Sequence, residues 1–200
     1  MQIAQSLTSA DRLQQLLPEL FNPAPLAGEQ FLRLQLTAEL TIGLDLEWVE
    51  ESLQIDTQLV TPMPNMPPSV LGLMSSKGHV FWAVNLVELL ELPRALPSTQ
   101  YYEVVVIRAV PAGAHQPIDH QPVDQGWGAP KTENELFLGL VVPKIKGTIR
   151  LSPEDITSPS AAVTTSLVPY LRGQVVFDND TIIILSAAAL GAVPSILLPT

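Results

Sequence analysis

The sequence predicts a mainly β chain that folds as two similar small barrels. Three observations carry this expectation. Short apolar runs recur every eight to twelve residues with turn residues between them, the spacing of an all-β barrel or sandwich. Helical periodicity is confined to short pieces. Lys77-Gly78-x-Val80 and Arg172-Gly173-x-Val175 each precede an apolar strand and a short leucine-containing helix. Such an echo fits two related lobes better than one large sheet.

Residues 1–28 read as an N-terminal arm. Ser9 is placed to cap a short helix over Ala10–Leu17 before Pro18, and FNPAPLAG (21–28) is linker-like. FLRLQL (31–36) and LTIGLDL (40–46) alternate apolar and polar positions, which predicts two half-buried strands joined as a hairpin. TPMPNMPP (61–68) cannot be a central strand, because proline donates no ladder hydrogen bond, so it forms a rigid loop. Val70–Met74 and Val80–Val84 are strands around a tight Lys77-Gly78 turn. Asn85 is placed to cap a helix, LVELLEL, that ends at Pro93.

A second run begins with a strand at YYEVVVIRAV (101–110). Residues 111–134 hold seven Pro and Gly residues and no apolar period, which predicts a mobile insertion, dispensable for folding. LFLGLVV (136–142) is a strand, and GTIRLSPEDI (147–156) a strand running into a turn. Strands at Gln174–Phe177 and Thr181–Leu185 flank Asp178-Asn179-Asp180, residue types that tolerate the positive φ of a hairpin turn. Residues 191–200 form a tail.

Composition excludes several function classes. The chain has 200 residues, 46% of them hydrophobic and 15% charged, and no cysteine. It is long enough to bury a sizeable core, and a disulfide scaffold or a Cys nucleophile is ruled out. A lack of cysteine fits a reducing, cytoplasmic setting. The formal net charge is −10, the wrong sign for nucleic acid or anionic lipid. No Lys or Arg occurs from Leu34 to Ser76, where Glu39, Asp45, Glu47, Glu50, Glu51 and Asp56 all fall. That stretch reads equally as a solvated acidic face or as a docking face for a basic partner. The one basic cluster is Lys144, Lys146 and Arg150. Thr181–Thr200 carries no charge and is nominally long enough to span a bilayer, but Gly191, Pro194 and Pro199 interrupt it and Asp178 and Asp180 flank it. It divides more naturally into a strand, TIIIL, and a short Ala-rich helix.

Reactive chemistry is sparse. His79 sits at a turn edge and reads as a surface residue. His115, His120, Asp119 and Asp124 share the long insertion, but their spacing matches no metal template. Asp178-Asn179-Asp180 lacks the glycine and distal glutamate of a calcium loop. Glu47, Glu50 and Glu51 have no concave apolar neighbour in the pattern. No phosphate loop, nucleophile elbow or zinc-binding helix motif occurs. The expectation is a non-enzyme with no metal and no cofactor.

Residues 60–92, VTPMPNMPPSVLGLMSSKGHVFWAVNLVELLEL, resemble the core of the CheW-like domain. That family shows a Pro-Asn-x-Pro loop, a Gly, an Arg-Gly turn, and an apolar strand ending in an acidic residue before a helix. Asn65, Pro67, Gly72 and Gly78 match it. Downstream, LGLVVPKIKG (138–147), LSPEDI (151–156) and Tyr170-Leu171-Arg172-Gly173 follow in the family's order, so the resemblance covers residues 29–190. Three positions depart from it: Lys77 replaces the turn's Arg, Asn85 the acidic residue, and Pro143 a usual Asp. Trp82, where many members have Pro, is similar to the cyanobacterial branch that serves pilus-based motility and phototaxis.

The resemblance implies two SH3-like five-stranded β-barrel lobes packed side by side. It implies a non-enzymatic cytoplasmic adaptor, with one surface docked on the regulatory domain of a CheA-type histidine kinase. Another surface, near the groove between lobes, would contact the helical cytoplasmic tip of a methyl-accepting chemoreceptor. The expected partner-binding residues are Asn65, Met66, Pro67, Lys77, Gly78 and Arg172, with the Pro-rich loop and the Lys77 turn side by side. The alternatives are a generic SH3-like binding module with no kinase partner, and a membrane-anchored module through residues 181–200.

Overall fold

In the computed structural model, the described residues are 28–93, 96, 99–109, 136–159 and 163–192. The N-terminal arm, the insertion with its histidines, and the last residues of the chain lie outside them. The strands are β1 (Glu29–Gln35), β2 (Thr41–Asp45), β3 (Val49–Asp56), β4 (Val70–Ser76), β5 (His79–Asn85), β6 (Tyr101–Ala109), β7 (Leu136–Val142), β8 (Lys144–Leu151), β9 (Leu171–Phe177) and β10 (Asp180–Leu185). Two short helices follow β5 and β10: α1 (Leu86–Leu89) and α2 (Ala187–Gly191).

The strands form two five-stranded sheets, in the orders β8-β1-β2-β10-β9 and β3-β6-β7-β5-β4. Each builds one lobe. Both repeat one plan, with an antiparallel hairpin at one edge and one parallel pairing, β10 with β2 and β5 with β7. The first lobe takes β1 and β2 from the start of the chain and the rest from its end. Neither sheet closes into a full barrel. Instead, after β3 and after β8 the chain makes a 3-10 turn and forms one isolated bridge to the opposite edge strand. Thr61 and Leu73 exchange two 2.9 Å hydrogen bonds in one lobe, as do Thr157 and Gln174 in the other.

The internal echo is present, but in a different register from the sequence reading. Lys77-Gly78 is a hairpin turn, whereas Arg172-Gly173 lies within β9. Aligned without a gap, Gly72 corresponds to Gly173, Lys77-Gly78 to Asp178-Asn179, and Asn85 to Ser186. Both turns take positive φ at both central residues, 47° and 84° in one and 50° and 65° in the other, which matches the twist of the flanking strands. Asn85 and Ser186 each cap the helix that follows.

Burial explains the apolar runs. In β6, Val104 and Val106 pack inside the second lobe, while Val105 and Ile107 join a core shared by both lobes. In β10, Ile182 and Ile184 fill the first lobe, while Ile183 and Leu185 enter the shared core. A strand buried on both faces reads as continuously hydrophobic. This is why residues 181–185 mimic part of a membrane span. They are a strand followed by α2, and no helix among the described residues is long and apolar enough to cross a membrane.

One expectation needs correction, and one strand lies where the sequence reading assigns no element. β3 falls in the acidic stretch, and in it Glu50, Glu51 and Asp56 are interleaved with the inward positions Val49, Leu53 and Ile55. The helix after Asn85 was expected to run to Pro93, but it stops at Leu89. Glu91 takes φ 51°, and the amides of Glu91 and Leu92 donate back to Glu88 and Val87. This is a Schellman-type stop without the usual glycine.

Candidate partner-binding site

Lys77 projects from the β4–β5 turn, and its side chain is 75% exposed. Its Nζ lies 2.5 Å from Oε2 of Glu51 on β3. The hydrogen bond from Lys77 holds the Glu51 carboxyl below its usual range, against the opposing effect of burial. The pair ties the turn to the strand that borders the interlobe groove. Gly78 has open space where a side chain would stand.

Asn65 takes φ 60° and is exposed, and Met66 and Pro67 are half-buried. The Pro67 carbonyl accepts from the Val70 amide at 2.9 Å, and the Asn85 amide donates to Ser69 at 2.7 Å. These bonds fix the loop at the Val70–Val84 end of the hairpin, while Lys77 sits beyond the Ser76–His79 end. The loop and the turn are therefore not side by side. The seven-residue β4 separates them by about 20 Å.

Arg172 lies in the other lobe, at a register shift in β9. Its guanidinium is 2.5 Å from both Asp45 on β2 and Glu29 on β1, and it stands 5.6 Å from the centre of the Phe31 ring. Asp45 is only 7% exposed, and burial raises its carboxyl above the usual range although Arg172 pulls the other way. Arg172 thus fastens an edge strand across its own lobe. These three residues line a cleft of about 560 Å³ with Glu47 and Arg150.

The opposite shifts of Asp45 and Glu51 give opposite pH dependences. The raised Asp45 value means its contribution is fully present below the ordinary aspartate pKa and is lost as pH rises through the folded value. The lowered Glu51 value means its contribution is present above the ordinary glutamate pKa and is lost as pH falls through the folded value. Denaturant titrations from about pH 3 to pH 7 test this. The stability difference between wild type and Asp45→Asn should shrink with rising pH, and that for Glu51→Gln should grow. Equal signs for the two would refute the assignment.

Between the lobes, Ser52, Leu53 and Gln54 of β3, Glu103 of the adjacent β6, and Ile145 of β8 from the other lobe line a shallow groove of about 430 Å³. Glu103 accepts a hydrogen bond from the Ile145 amide at 2.5 Å, just after the chain crosses lobes at Pro143. From sequence, Asp45 and Glu51 stand only within the acidic stretch, not as the partners of Arg172 and Lys77, and Glu103 is not singled out. Asp45 and Glu103 share one signal, a carboxylate inside or at the end of a largely apolar strand, whereas Glu51 lies on a charge-rich one.

Glu47 accepts from the Trp48 indole and Glu51 is engaged by Lys77. His79 packs edge-on against Phe137 at 4.9 Å. Among the described residues no group of three or more His, Cys, Asp or Glu is placed to hold a metal ion.

A family model described as the CheW-like domain matches residues 30–193. Fifteen solved chains match the fold. One of them is the scaffolding protein TtCheW from Thermoanaerobacter tengcongensis. It is 18% identical, with a TM-score of 0.60 over 82% of this chain and 92% of that one. No curated protein matches the chain.

Proposed function

The chain belongs to the CheW-like family, whose members are scaffolding adaptors rather than enzymes, and from that premise we propose which proteins it couples. It joins the regulatory domain of a CheA-type histidine kinase to the cytoplasmic tip of methyl-accepting receptors. The pathway is a chemotaxis-like one for motility or phototaxis. The observation that carries this reading is the core shared between the lobes. Leu34, Ile42 and Leu44 of one lobe pack in a single cluster with Val105, Ile107 and Leu140 of the other. A linker that transmits geometry must hold its docking faces at a fixed relation, and a continuous close-packed core does so.

The proposed contact residues are Asn65, Met66 and Pro67 at one end of the β4–β5 hairpin of the second lobe, Lys77 and Gly78 at the other, and Arg172 in the first lobe. The loop's hydrogen bonds pre-organise it, so docking there orders little new chain. Trp82 packs partly buried against the shared core, and the motility or phototaxis assignment rests on its likeness to the cyanobacterial branch.

Reconstitution with the kinase and receptor encoded by the same organism tests the coupling. Lys77→Glu should cut co-assembly and receptor control of the kinase by about tenfold, because it reverses a rim charge and sets two carboxylates against each other. Lys77→Ala should fold normally, since an exposed ion pair contributes only about 0–1 kcal/mol. The swap Lys77→Glu with Glu51→Lys should restore the pair and part of the assembly. Wild-type assembly by Lys77→Glu at low salt would remove the turn from the interface. No binding to either partner would sink the coupling itself.

A further inference from the structure

Residues 193–200, Val-Pro-Ser-Ile-Leu-Leu-Pro-Thr, carry no charge and lie outside the described residues. Their point of departure is fixed. Gly191 at the end of α2 packs so closely on β6 that a Cβ there would stand 2.8 Å from the Arg108 carbonyl oxygen. Leu190 is fully buried, and Ala192 is exposed. α2 also packs against the 3-10 helix Thr165–Tyr170, and the Ser186 amide donates to the Tyr170 carbonyl at 2.8 Å. On that helix Val168 is 57% exposed. At its start opens a cleft of about 540 Å³, walled by Leu40, Leu92, Val163, Leu167 and Ile183. Leu92, Leu167 and Ile183 belong to the shared core, so the cleft opens on the margin of that core. Glu39 is the only ionisable group in its walls among the described residues. The cleft shares no wall residue with the groove beside β3.

We propose that residues 196–198 of this chain fold back into the cleft, so that the apolar tail seals the core shared by the two lobes. The reach suffices. Thr181, at the start of β10, walls the cleft, and Ser186, which caps α2, follows about 17 Å further along the chain. Leu197 and Leu198 stand five and six residues beyond Ala192, about 17–20 Å of extended chain. A tail returning along the 3-10 helix passes the exposed Val168 and brings these side chains to the cleft. The chemistry matches as well. Ile196, Leu197 and Leu198 leave water on docking, which is favourable in proportion to the apolar area buried. The near-absence of charge in the walls leaves no carboxylate or ammonium to desolvate beyond the exposed Glu39. Thr164 and Thr181 line the cleft with hydroxyls that pair with the backbone of an extended segment. Pro194 and Pro199 bracket the apolar residues, and proline restricts φ, so the tail loses less entropy when it docks. Burial against the chain's own core then accounts for the whole uncharged stretch from Thr181 to Thr200.

Engineered disulfides in the full chain test this, because the protein has no cysteine of its own. Thr200→Cys is combined with Thr164→Cys, with Thr181→Cys, or with Val80→Cys as the control on the other lobe. The three partner positions are exposed, and the Thr164 side chain makes no cap hydrogen bond, so the fold tolerates the changes. A bridge forms only when the Cα atoms come within about 7 Å. Under mild oxidation at least one cleft pair should close within the monomer about tenfold faster than the Val80 pair, since docking raises the local thiol concentration. Changing Ile196, Leu197 and Leu198 together to Asp should bring that rate down to the control's. The neutral dye Nile red should brighten with this triple variant in the cysteine-free chain and stay dim with the wild type. An unchanged circular dichroism spectrum verifies the fold of each variant. Cleft pairs no faster than the control, or a rate undiminished in the triple variant, would overturn the proposal. Disulfide-linked dimers in place of bridged monomers would give the cleft to a second copy of the chain. Strong dye binding by the wild type would give it to a small apolar ligand. Flotation of the wild type with phosphatidylcholine vesicles would give the tail to a membrane, and each of these three results equally rejects the seal.

Discussion

Gly72→Ala is expected to lower the melting temperature by about 10 °C or more. Gly72 holds φ 145°, and a Cβ there would stand 2.2 Å from the Thr61 carbonyl oxygen, far inside van der Waals contact. That oxygen accepts from Leu73 in the bridge that ties the end of β3 to β4. The methyl cannot be accommodated unless the bridge opens. Two hydrogen bonds are then lost at about 1 kcal/mol each, with about 1–2 kcal/mol of backbone strain added. Gly173→Ala should behave similarly in the other lobe, where a Cβ would meet Ile156 Cγ2 at 2.5 Å and the Thr157 oxygen at 2.9 Å. Gly78→Ala is the control. It has φ 84° but open space around it, so only the strain remains and the shift should be a few degrees. Calorimetry showing Gly72→Ala within about 3 °C of wild type would mean the bridge does not close the lobe.

Leu140→Ala should cost about 2–5 kcal/mol and destabilise both lobes together. Leu140 is fully buried in β7, on the face that enters the shared core, in one cluster with residues of β1, β2 and β10. Hydrogen exchange separates this from a local effect. The amides of Ile42 and Leu44 in the first lobe should lose protection in step with those of Val105 and Ile107 in the second. Phe81→Ala removes a comparably buried side chain, but from the core private to the second lobe. It should cost about 3–5 kcal/mol, and its first effect should fall on that lobe. Faster exchange confined to the second lobe in Leu140→Ala would show that the lobes are only loosely joined, and the rigid-adaptor reading would lose its physical basis.

Local chemistry was legible along the chain wherever it acts alone. The Lys77-Gly78 and Asp178-Asn179 turns, the Asn85 cap, the proline-rich loop and the β1–β2 hairpin depend on residues a few positions apart, although β2 is buried along its whole length instead of half-buried, because it sits between β1 and β10. Their conformational preferences survive folding unchanged. β3 was missed because surface charge dominates its composition, and only pairing with β6 reveals its inward positions. The end of α1 was misjudged because a glutamate fills a left-handed position that glycine usually takes.

A β-rich, two-lobed chain was legible from periodicity and turn residues, which are written locally, and the family from the resemblance of its ordered motifs to the CheW-like domain. The tertiary structure decided which lobe each strand joins, the register of the repeat, and the distance between the Asn65 loop and the Lys77 turn. It also decided which charges are engaged. Lys77 meets Glu51 and Arg172 meets Asp45 only because strands far apart in the chain are brought within hydrogen-bond reach. An ion pair acts over a few ångströms, whereas its partners here are 26 and 127 residues apart in the chain. No local pattern could encode those meetings, since they exist only once both sheets have formed and the shared core has fixed one lobe against the other.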